Sequence, residues 1–332
     1  MKRVGFIVTG MTILKYFLPI VKKLKLVGEA ECVFFVPDVC IGKYNSIHRN
    51  RDRFLHICKK EEIKIESLSQ VNLFSGVIFQ IEGDGLPGPK REDQKVFSFT
   101  YMTDFTFDYE KYINKVDHVI FPSQKFADFY DKKSSKNLYF GSPKYDVPVV
   151  EKDVLLKKYG LNNDKYVLYV APRNRDISKI DTTKIVNKLK NHGYKIICKS
   201  RMKDVVSNEK IFDRVFYDNS WFPHDTLELM QCADFVVNFN STTIKESIIS
   251  EKPVIDFKVK PSQFSKLQFL YDYDFCKNIK PEDFKADPGT LDSAIEYIVS
   301  KQSFEFEKCI KKDLFERSEV CNKIFTFTKD LM

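Results

Sequence analysis

The sequence predicts an α/β protein of two domains, each built on a doubly wound parallel sheet, and three observations support this class. Short apolar runs alternate with amphipathic segments, a pattern typical of parallel sheets that helices cover on both faces. The alternation stops over residues 137–165 and then starts again. The length of 332 residues also fits two domains of ordinary size.

The first domain begins with a strand, a helix and a second strand. Residues 4–8 are apolar and end at Thr9-Gly10, as expected of a strand buried on both faces. Residues 12–27 have apolar positions at helical spacing, and 32–36 form another apolar run. Together these segments have the size of one βαβ unit.

The same pattern continues to the end of the first domain, which we place at residue 147 because Pro148 and charged residues follow. A helix is predicted over 47–60, and Ser123 is a candidate cap for a second helix over 124–132. Further strands are predicted at 76–80, 96–99, 118–122 and 137–143.

The second domain, residues 148–303, repeats the alternation. Helices are predicted at 181–192, 226–231 and 242–250, and strands at 166–172, 194–198, 214–217, 233–238 and 253–257. Residues 304–332 form a third segment, in which a long amphipathic helix over 304–331 is predicted to pack back on the first domain.

Composition argues against several classes of protein. The net charge of +8 is spread along the chain without a basic, aromatic-rich tract, so no nucleic-acid partner is expected. The eight cysteines form no CxxC pair and no zinc spacing, and most lie in apolar stretches, as buried thiols do in a reducing compartment. We therefore expect a cytoplasmic protein without a metal site.

The sequence gives no sign of a membrane-spanning helix. No stretch reaches about 18 uninterrupted apolar residues, and the N-terminus lacks the apolar region of a signal peptide. The basic segment 13–25 leaves two alternatives open. It is either an ordinary packed helix with solvated lysines or a peripheral contact with an anionic bilayer.

A polar turn in the second domain has the residues expected of an anion site. Asn240-Ser241-Thr242-Thr243 lies between a predicted strand and a predicted helix. The first amides of a helix are free to donate and carry partial positive charge, and the hydroxyls add donors. We expect this turn to bind phosphate. The alternative is that Ser241 or Thr242 only caps the helix.

Three segments between residues 138 and 258 contain recognisable motifs. Residues 224–257 read HDTLELMQCADFVVNFNSTTIKESIISEKPVIDF, residues 167–176 read VLYVAPRNRD, and residues 140–146 read FGSPKYD. The first segment resembles the second domain of GT-B glycosyltransferases, where a short helix ending in Ala-Asp, a small-residue turn, a Glu-bearing helix and Pro-Val-Ile follow in this order. Over residues 1–137 the resemblance is only architectural.

The other two segments resemble a narrower group. Residues 167–176 are similar to the opening strand and loop of the second domain in CDP-glycerol glycerophosphotransferases. Residues 140–146 resemble the interdomain G-x-P-x-x-D of that group and of non-hydrolysing UDP-N-acetylglucosamine 2-epimerases. Two departures are visible: Asn238 stands where the first Glu of the E-x7-E pattern falls, and Thr242-Thr243 replaces the epimerases' Gly-Gly turn.

The resemblance implies two Rossmann-like domains that face each other across a cleft, with a nucleotide-linked donor on the second domain. Glu246 is then expected to accept both ribose hydroxyls, the alternative being an exposed helix charge. His224 is expected near the base or the phosphates, the alternative being a capping or packing histidine. Guanidinium and ammonium groups suit a departing diphosphate, and surface basicity is the alternative. The candidates are Arg173, Arg175, Lys199 and Arg201.

The first domain is expected to bind the acceptor. Gly10, Met11 and Thr12 follow the first strand, where the backbone can approach a ligand closely. An inverting transferase needs a group that takes the acceptor proton. Asp104 is the first candidate, and the others are Glu82, Asp84, His224, His48 and His118.

These residues favour a metal-independent transferase of polysaccharide biosynthesis, since no DxD motif with suitable flanks is present. The enzyme is predicted to move a sugar or polyol phosphate from a UDP-linked or CDP/CMP-linked donor to a cell-surface glycan or lipid-linked acceptor, without a further cofactor. Two alternatives remain open. One is a sugar-nucleotide epimerase or hydrolase of the same fold, and the other is a catalytically inactive nucleotide-binding relative.

Overall fold

A computed structural model gives the structure of the chain. It describes residues 2–28, 30–38, 45–82, 85–100, 113–122, 134–146, 150–172, 174–201, 206, 208–218, 225–241, 243–259, 273–301, 303–306 and 319–332. Of residues 45, 46, 174, 175, 201 and 218 only the backbone is described. The chain divides into two compact units. Unit 1 is Met1–Val147 with Lys311–Met332, and unit 2 is Pro148–Ile310.

Unit 1 contains a seven-stranded parallel sheet in the order β3-β2-β1-β4-β5-β6-β7. Its strands are β1 (Lys2–Ile7), β2 (Ala30–Val36), β3 (Lys64–Ser67), β4 (Gly76–Ile81), β5 (Gln94–Phe99), β6 (His118–Ile120) and β7 (Asn137–Leu138). Its helices are α1 (Leu14–Leu26), α2 (Asn45–Arg49), α3 (Arg51–Lys60) and α11 (Val320–Thr328), with 3-10 turns at Met11–Ile13, Leu68–Leu73 and Pro143–Tyr145.

Phenylalanines on neighbouring strands build the core of unit 1. The ring of Phe6 in β1 lies 5.6 Å from Phe34 in β2 and 5.4 Å from Phe79 in β4, measured between centroids. Phe79 in turn lies 5.5 Å from Phe97 in β5. Such contacts add to the free energy gained by burying each ring, so they hold the four central strands together.

Helix α1 buries its apolar face and pairs two of its lysines. Leu14, Phe17 and Leu24 are among its buried residues, spaced as an amphipathic helix requires. Lys22 lies 3.7 Å from a carboxylate oxygen of Glu61, and Lys25 lies 2.7 Å from one of Glu62. This arrangement favours the packed-helix alternative. Membrane contact stays a prediction.

Unit 2 contains a six-stranded parallel sheet in the order β10-β9-β8-β11-β12-β13. Its strands are β8 (Tyr166–Val170), β9 (Lys195–Arg201), β10 (Arg214–Asp218), β11 (Phe235–Asn238), β12 (Val254–Phe257) and β13 (Cys276–Ile279). Its helices are α4 (Lys152–Tyr159), α5 (Asn174–Ile177), α6 (Thr182–Asn191), α7 (Asp225–Cys232), α8 (Ile244–Ile249), α9 (Pro281–Ala286) and α10 (Gly289–Ser300), with a 3-10 turn at Glu209–Ile211.

The predicted class, α/β with two doubly wound parallel sheets, is confirmed. In each sheet the first three strands run outward in one direction and the next strand starts on the other side of the first. The order of unit 2 is that of the Rossmann fold, 3-2-1-4-5-6. Within the described ranges no helix is long and apolar enough to cross a bilayer. The six cysteines described are buried free thiols, as expected.

The prediction of one helix over 304–331 is wrong. Residues 303–305 are not helical, and Glu319 has a φ of +60°, which no continuous helix allows. The helix observed is α11, whose start is fixed by a carboxylate oxygen of Asp146 that accepts a hydrogen bond from the Cys321 amide at 2.8 Å. The predicted helix 124–132 lies outside the described residues.

Candidate functional site

The strand order of unit 2 places two loops on either side of the point where the sheet reverses direction. β8 lies between β9 and β11, so the loops that follow β8 and β11 leave the same carboxyl edge in opposite directions. In open parallel sheets, ligands bind in the crevice at this position. The turn beginning at Asn240 follows β11, and Ala171-Pro172 follows β8.

Hydrogen bonds hold the neighbouring loops of this edge together. The Ala171 amide donates to the Lys199 carbonyl at 2.9 Å, which fixes the start of the loop after β8 against the end of β9. Lys179 Nζ donates to the Val259 carbonyl at 2.9 Å and lies 3.5 Å from a carboxylate oxygen of Asp176. The segments after β8, β9 and β12 are therefore linked.

The turn after β11 is anchored in the core by Phe239. Its buried ring lies 5.0 Å from Tyr169 and 5.3 Å from Phe257, measured between centroids. The next residue, Asn240, has a φ of +46°, a left-handed conformation that Asn adopts more readily than most residues. The chain thus reverses sharply above a fixed aromatic ring.

Asp256, the third residue of β12, holds this reversal from the neighbouring strand. One carboxylate oxygen accepts hydrogen bonds from Asn238 Nδ2 at 2.8 Å and from the Asn240 amide at 2.9 Å. The other oxygen accepts from Lys258 Nζ at 2.7 Å. Asn238 Nδ2 also donates to the Ser241 carbonyl at 3.1 Å. Asp256 is only 1% exposed, so both oxygens need these partners.

These bonds correct part of the predicted anion site. The amides of Asn240, Thr243 and Ile244 donate to Asp256, to the Ser241 hydroxyl and to the Ser241 carbonyl. They are not donors to a ligand in this arrangement. Within the described residues no acceptor is bonded to the Ser241 amide. Since α8 spans only six residues, its dipole also adds less than a long helix would.

Two hydroxyls remain at the turn. Ser241 Oγ and Thr243 Oγ1 share a hydrogen bond at 2.9 Å, in which either hydroxyl can be the donor, and both residues are partly exposed. Thr242 lies outside the described residues. The phosphate role of Asn240, Ser241, Thr242 and Thr243 stays a prediction, now resting on the Ser241 amide and these hydroxyls.

Glu246 is buried at 6% exposure, as are the other five residues of α8. The alternative that Glu246 is an exposed helix charge is therefore wrong. The ribose role stays a prediction. The remaining donor-side candidates are less well described: Lys199 lies partly exposed near the end of β9, the side chains of Arg175 and Arg201 are not described, and Arg173 and His224 lie outside the described residues.

Four of the acceptor-side candidates lie at the reversal of the other sheet, where Gly10, Met11 and Thr12 follow β1 and Glu82 follows β4. Thr12 is partly exposed there, and Glu82 follows β4 with its amide bonded to the Phe99 carbonyl at 2.8 Å. The Met11 side chain is fully buried in the core, so only the backbone of this residue can approach an acceptor, and the acceptor role of Gly10, Met11 and Thr12 stays a prediction. Gly10 has extended backbone that any residue adopts. Asp84 and Asp104 lie outside the described residues.

His118 lies at the opposite edge of this sheet, because it begins β6. Its ring stacks on Phe97 at 5.2 Å and meets Phe327 edge-on at 5.1 Å. Burial lowers its pKa below the ordinary 6.5, opposed by a backbone hydrogen bond with Lys136 and the charge of Asp117. Its position is that of a packing histidine. In the described part of the chain no cluster of three His, Cys, Asp or Glu side chains could hold a metal.

The sequence interpretation missed Asp256 and Lys258 and treated Asn238 only as a departure from a pattern. A signal was present: Asp256 is a charge within the otherwise apolar run 253–257. A carboxylate in a buried strand requires partners, and in parallel sheets functional groups gather at the carboxyl edge.

Comparisons with known proteins establish the fold. S. aureus MnaA, solved with UDP, aligns with 100% of this chain over 98% of its own length, with 13% sequence identity and a TM-score of 0.60. A variant of the wall teichoic acid polymerase TagF aligns with 99% of this chain over 89% of its own length, with 14% sequence identity and a TM-score of 0.66. Acinetobacter baumannii MurG aligns with 99% of this chain over 100% of its own length, with 10% sequence identity and a TM-score of 0.61.

The predicted resemblance to the GT-B fold is confirmed as a likeness of fold, because these structures match over 99% to 100% of the chain. Identities of this size establish the fold alone. No protein-family model matches the sequence, and no curated protein matches it either.

Proposed function

We propose that the chain is a glycosyltransferase-type enzyme that binds a nucleotide-linked donor at the carboxyl edge of the unit 2 sheet. The observation that carries the proposal is the turn after β11, which lies at the sheet reversal and contains the hydroxyls of Ser241 and Thr243 and a Ser241 amide with no acceptor among the described residues. Ligands of open parallel sheets bind at this position. MnaA, which shares the fold, was solved with UDP.

The proposed chemistry is transfer of a sugar or polyol phosphate to a glycan or lipid-linked acceptor. Negative charge develops on the departing diphosphate, and preset donors stabilise it. Ser241 and Thr243 share one hydroxyl hydrogen bond, so together they supply one neutral hydroxyl donor, and Lys199 supplies a cation at the end of β9. Arg173, Arg175 and Arg201 are the other proposed cations. No metal ion is required in this scheme.

The remaining roles are assigned to the groups that the resemblance implies. Glu246 accepts the ribose hydroxyls of the donor. Asp104, Glu82 or Asp84 takes the proton of the acceptor hydroxyl, since one carboxylate near the acceptor suffices for an inverting transfer. His224 is the other candidate for a role near the phosphates. The donor is UDP-linked or CDP/CMP-linked, and no cofactor takes part.

A ligand screen tests the proposal. Unfolding temperature is measured with UDP, CDP, CMP, GDP and ADP, each free and sugar-linked, together with CDP-glycerol. A nucleotide at a hundredfold excess over its Kd raises the free energy of unfolding by about 2.7 kcal/mol. UDP or CDP should give the largest increase. If no nucleotide changes the unfolding temperature, the proposal is wrong.

Product analysis with the best donor then separates the activities that share this fold. Transfer requires an added glycan or lipid-linked acceptor, so the donor should be consumed faster when one is present. Release of an altered sugar or free nucleotide without any acceptor identifies an epimerase or hydrolase. Binding without turnover under all conditions identifies an inactive relative.

A further inference from the structure

Asp256 differs from the other groups at the carboxyl edge because it contacts the proposed donor turn from a neighbouring strand. Asn238 and Asp256 are register partners in the parallel pair β11 and β12. The carboxylate therefore lies beside the end of β11, where the chain turns. It accepts hydrogen bonds from the side chain of Asn238, the last residue of β11, and from the amide of Asn240 in the turn.

The bonds of Asp256 and Asn238 determine which groups of the turn are already used within the protein. The hydrogen bond of Asp256 holds the Asn240 amide inward while Asn240 has a φ of +46°. Asn238 Nδ2 also donates a hydrogen bond to the Ser241 carbonyl at 3.1 Å. With the Asn240 amide and the Ser241 carbonyl both bonded within the protein, the Ser241 amide is the group of this turn that has no acceptor among the described residues.

We propose that Asp256 is a positioning residue, which with Asn238 holds the Asn240–Ser241 turn in the shape that receives the phosphates of the donor. The inference rests on the proposed function. Lys258, at 2.7 Å from the second carboxylate oxygen, balances the buried charge, so the clamp adds no net negative charge beside a phosphate. A neutral clamp of this kind fixes geometry without repelling the ligand.

The position of Asn238 agrees with this role. A carboxylate at position 238 would lie against the Asp256 carboxylate, which Asn238 Nδ2 contacts at 2.8 Å. Two buried carboxylates at that distance cannot both be ionised, and the clamp would lose its donor. The amide supplies the N–H groups that both Asp256 and the Ser241 carbonyl require.

The experiment measures the Kd of UDP and CDP by calorimetry for the wild type, Asp256→Ala and Asp256→Asn. The alanine variant loses both turn bonds and should bind about tenfold more weakly or worse. The asparagine variant keeps an acceptor oxygen for Asn238 and Asn240, so it should bind within about threefold of the wild type. Rescue by the asparagine variant separates positioning from a general effect on folding.

Asp213→Ala is the matched control. Asp213 also accepts a backbone amide, that of Ile196 at 2.8 Å, and has a lysine partner, but it lies at the amino edge of the same sheet. This variant should lower the unfolding temperature and leave the Kd unchanged.

The outcomes separate the inference from the proposed function. No nucleotide binding by the wild type overturns the proposed function. Normal binding by the wild type with an unchanged Kd in Asp256→Ala overturns the positioning role alone. If the alanine variant does not fold, Asn238→Ala takes its place, because it removes the Ser241 carbonyl bond and one bond to Asp256. An unchanged Kd in that variant overturns the positioning role as well.

Discussion

Aspartates at the amino edges of the two parallel sheets make different contacts from Asp256 at the carboxyl edge of the unit 2 sheet. Among the described residues, Asp117, Asp213 and Asp234 directly precede β6, β10 and β11 at the amino edges. Each exchanges two hydrogen bonds with one residue of the adjacent strand: Val96, Ile196 and Tyr166 respectively. Asp256 at the carboxyl edge instead bonds a side chain and a turn.

The two kinds of contact have different consequences. The side chain of an amino-edge aspartate accepts an amide near the start of a neighbouring strand, and its own amide donates to the carbonyl of that same residue. These bonds reinforce the pairing of the two strands. These side chains are 17% to 39% exposed. Asp256 is almost fully buried, and what it fixes is the shape of a loop. The comparison indicates that the amino-edge aspartates stabilise strand pairing, whereas Asp256 at the carboxyl edge fixes the shape of the turn that we propose binds the donor.

The largest effect expected at the carboxyl edge is that of Glu246→Gln. A carboxylate that accepts both ribose hydroxyls makes two charge-assisted hydrogen bonds, and the amide keeps only one acceptor oxygen. Loss of such a bond costs about 1.5–3 kcal/mol, or about tenfold to a hundredfold in Kd. The Kd of UDP and CDP is measured by calorimetry. Because Glu246 is buried, the unfolding temperature without ligand is measured as well.

An unchanged Kd in Glu246→Gln would remove the ribose assignment and leave the turn as the only proposed donor contact. The isosteric amide was chosen over alanine because a cavity within α8 would disturb the turn at its start. A parallel decrease in affinity and in ligand-free stability would assign Glu246 to the structure of α8.

Asp234→Ala tests the amino edge and should change stability without changing ligand affinity. Asp234 accepts the Tyr166 amide at 2.9 Å, and Tyr166 begins the central strand β8. Leaving that buried amide without an acceptor costs about 1–3 kcal/mol. A loss of this size lowers the unfolding temperature of a domain this large by about 2–4 °C per kcal/mol.

Asp234→Asn is the control, because its side-chain oxygen can still accept the Tyr166 amide. It should retain most of the wild-type unfolding temperature. A changed nucleotide Kd in Asp234→Ala, measured well below its unfolding temperature, would contradict the distinction between the two edges.

The sequence was sufficient to predict the strands that are buried on both faces. β1, β8 and β12 appear in the sequence as short apolar runs, and each was predicted at nearly its observed position. β3 (Lys64–Ser67) was missed because it is a partly exposed edge strand with charged residues and no apolar run. The charged segment after the predicted domain boundary at residue 147 contains α4, for which no helix was predicted because its apolar residues are too few to reveal a helical period.

The turn at 240–243 was predicted in its position between a strand and a helix, and its hydrogen bonds were not predicted. The turn at 240–243 was found because a polar, small-residue segment lies between a strand and a helix. Its clamp depends on Asp256, which becomes a neighbour of Asn238 only through the register of β11 and β12. Register is set by packing across the whole sheet, so the internal use of the Asn240 amide was not visible in the sequence.

The smallest predicted effect is a pH dependence at the amino edge of unit 1. Burial beside Phe97 and Phe327 lowers the pKa of His118 below its ordinary 6.5, and the charges that face it are those of Asp117, Lys136 and Lys95. The unfolded chain binds a proton near pH 6.5, whereas the folded chain binds it only at lower pH. The stabilisation is therefore complete above about pH 6.5 and is lost as the pH falls through the folded pKa.

His118→Phe removes this group while keeping an aromatic ring between Phe97 and Phe327. The unfolding midpoint in denaturant is measured for both proteins between about pH 5 and 7.5. The wild type should lose stability relative to the variant as the pH falls below about 6.5, because only the wild type must exclude a proton from the packed ring. If the stability of the two proteins changes with pH in parallel, the imidazole of His118 has the same pKa in the folded and the unfolded chain. His118 would then be as accessible to solvent as a surface residue, which contradicts its packing at this edge.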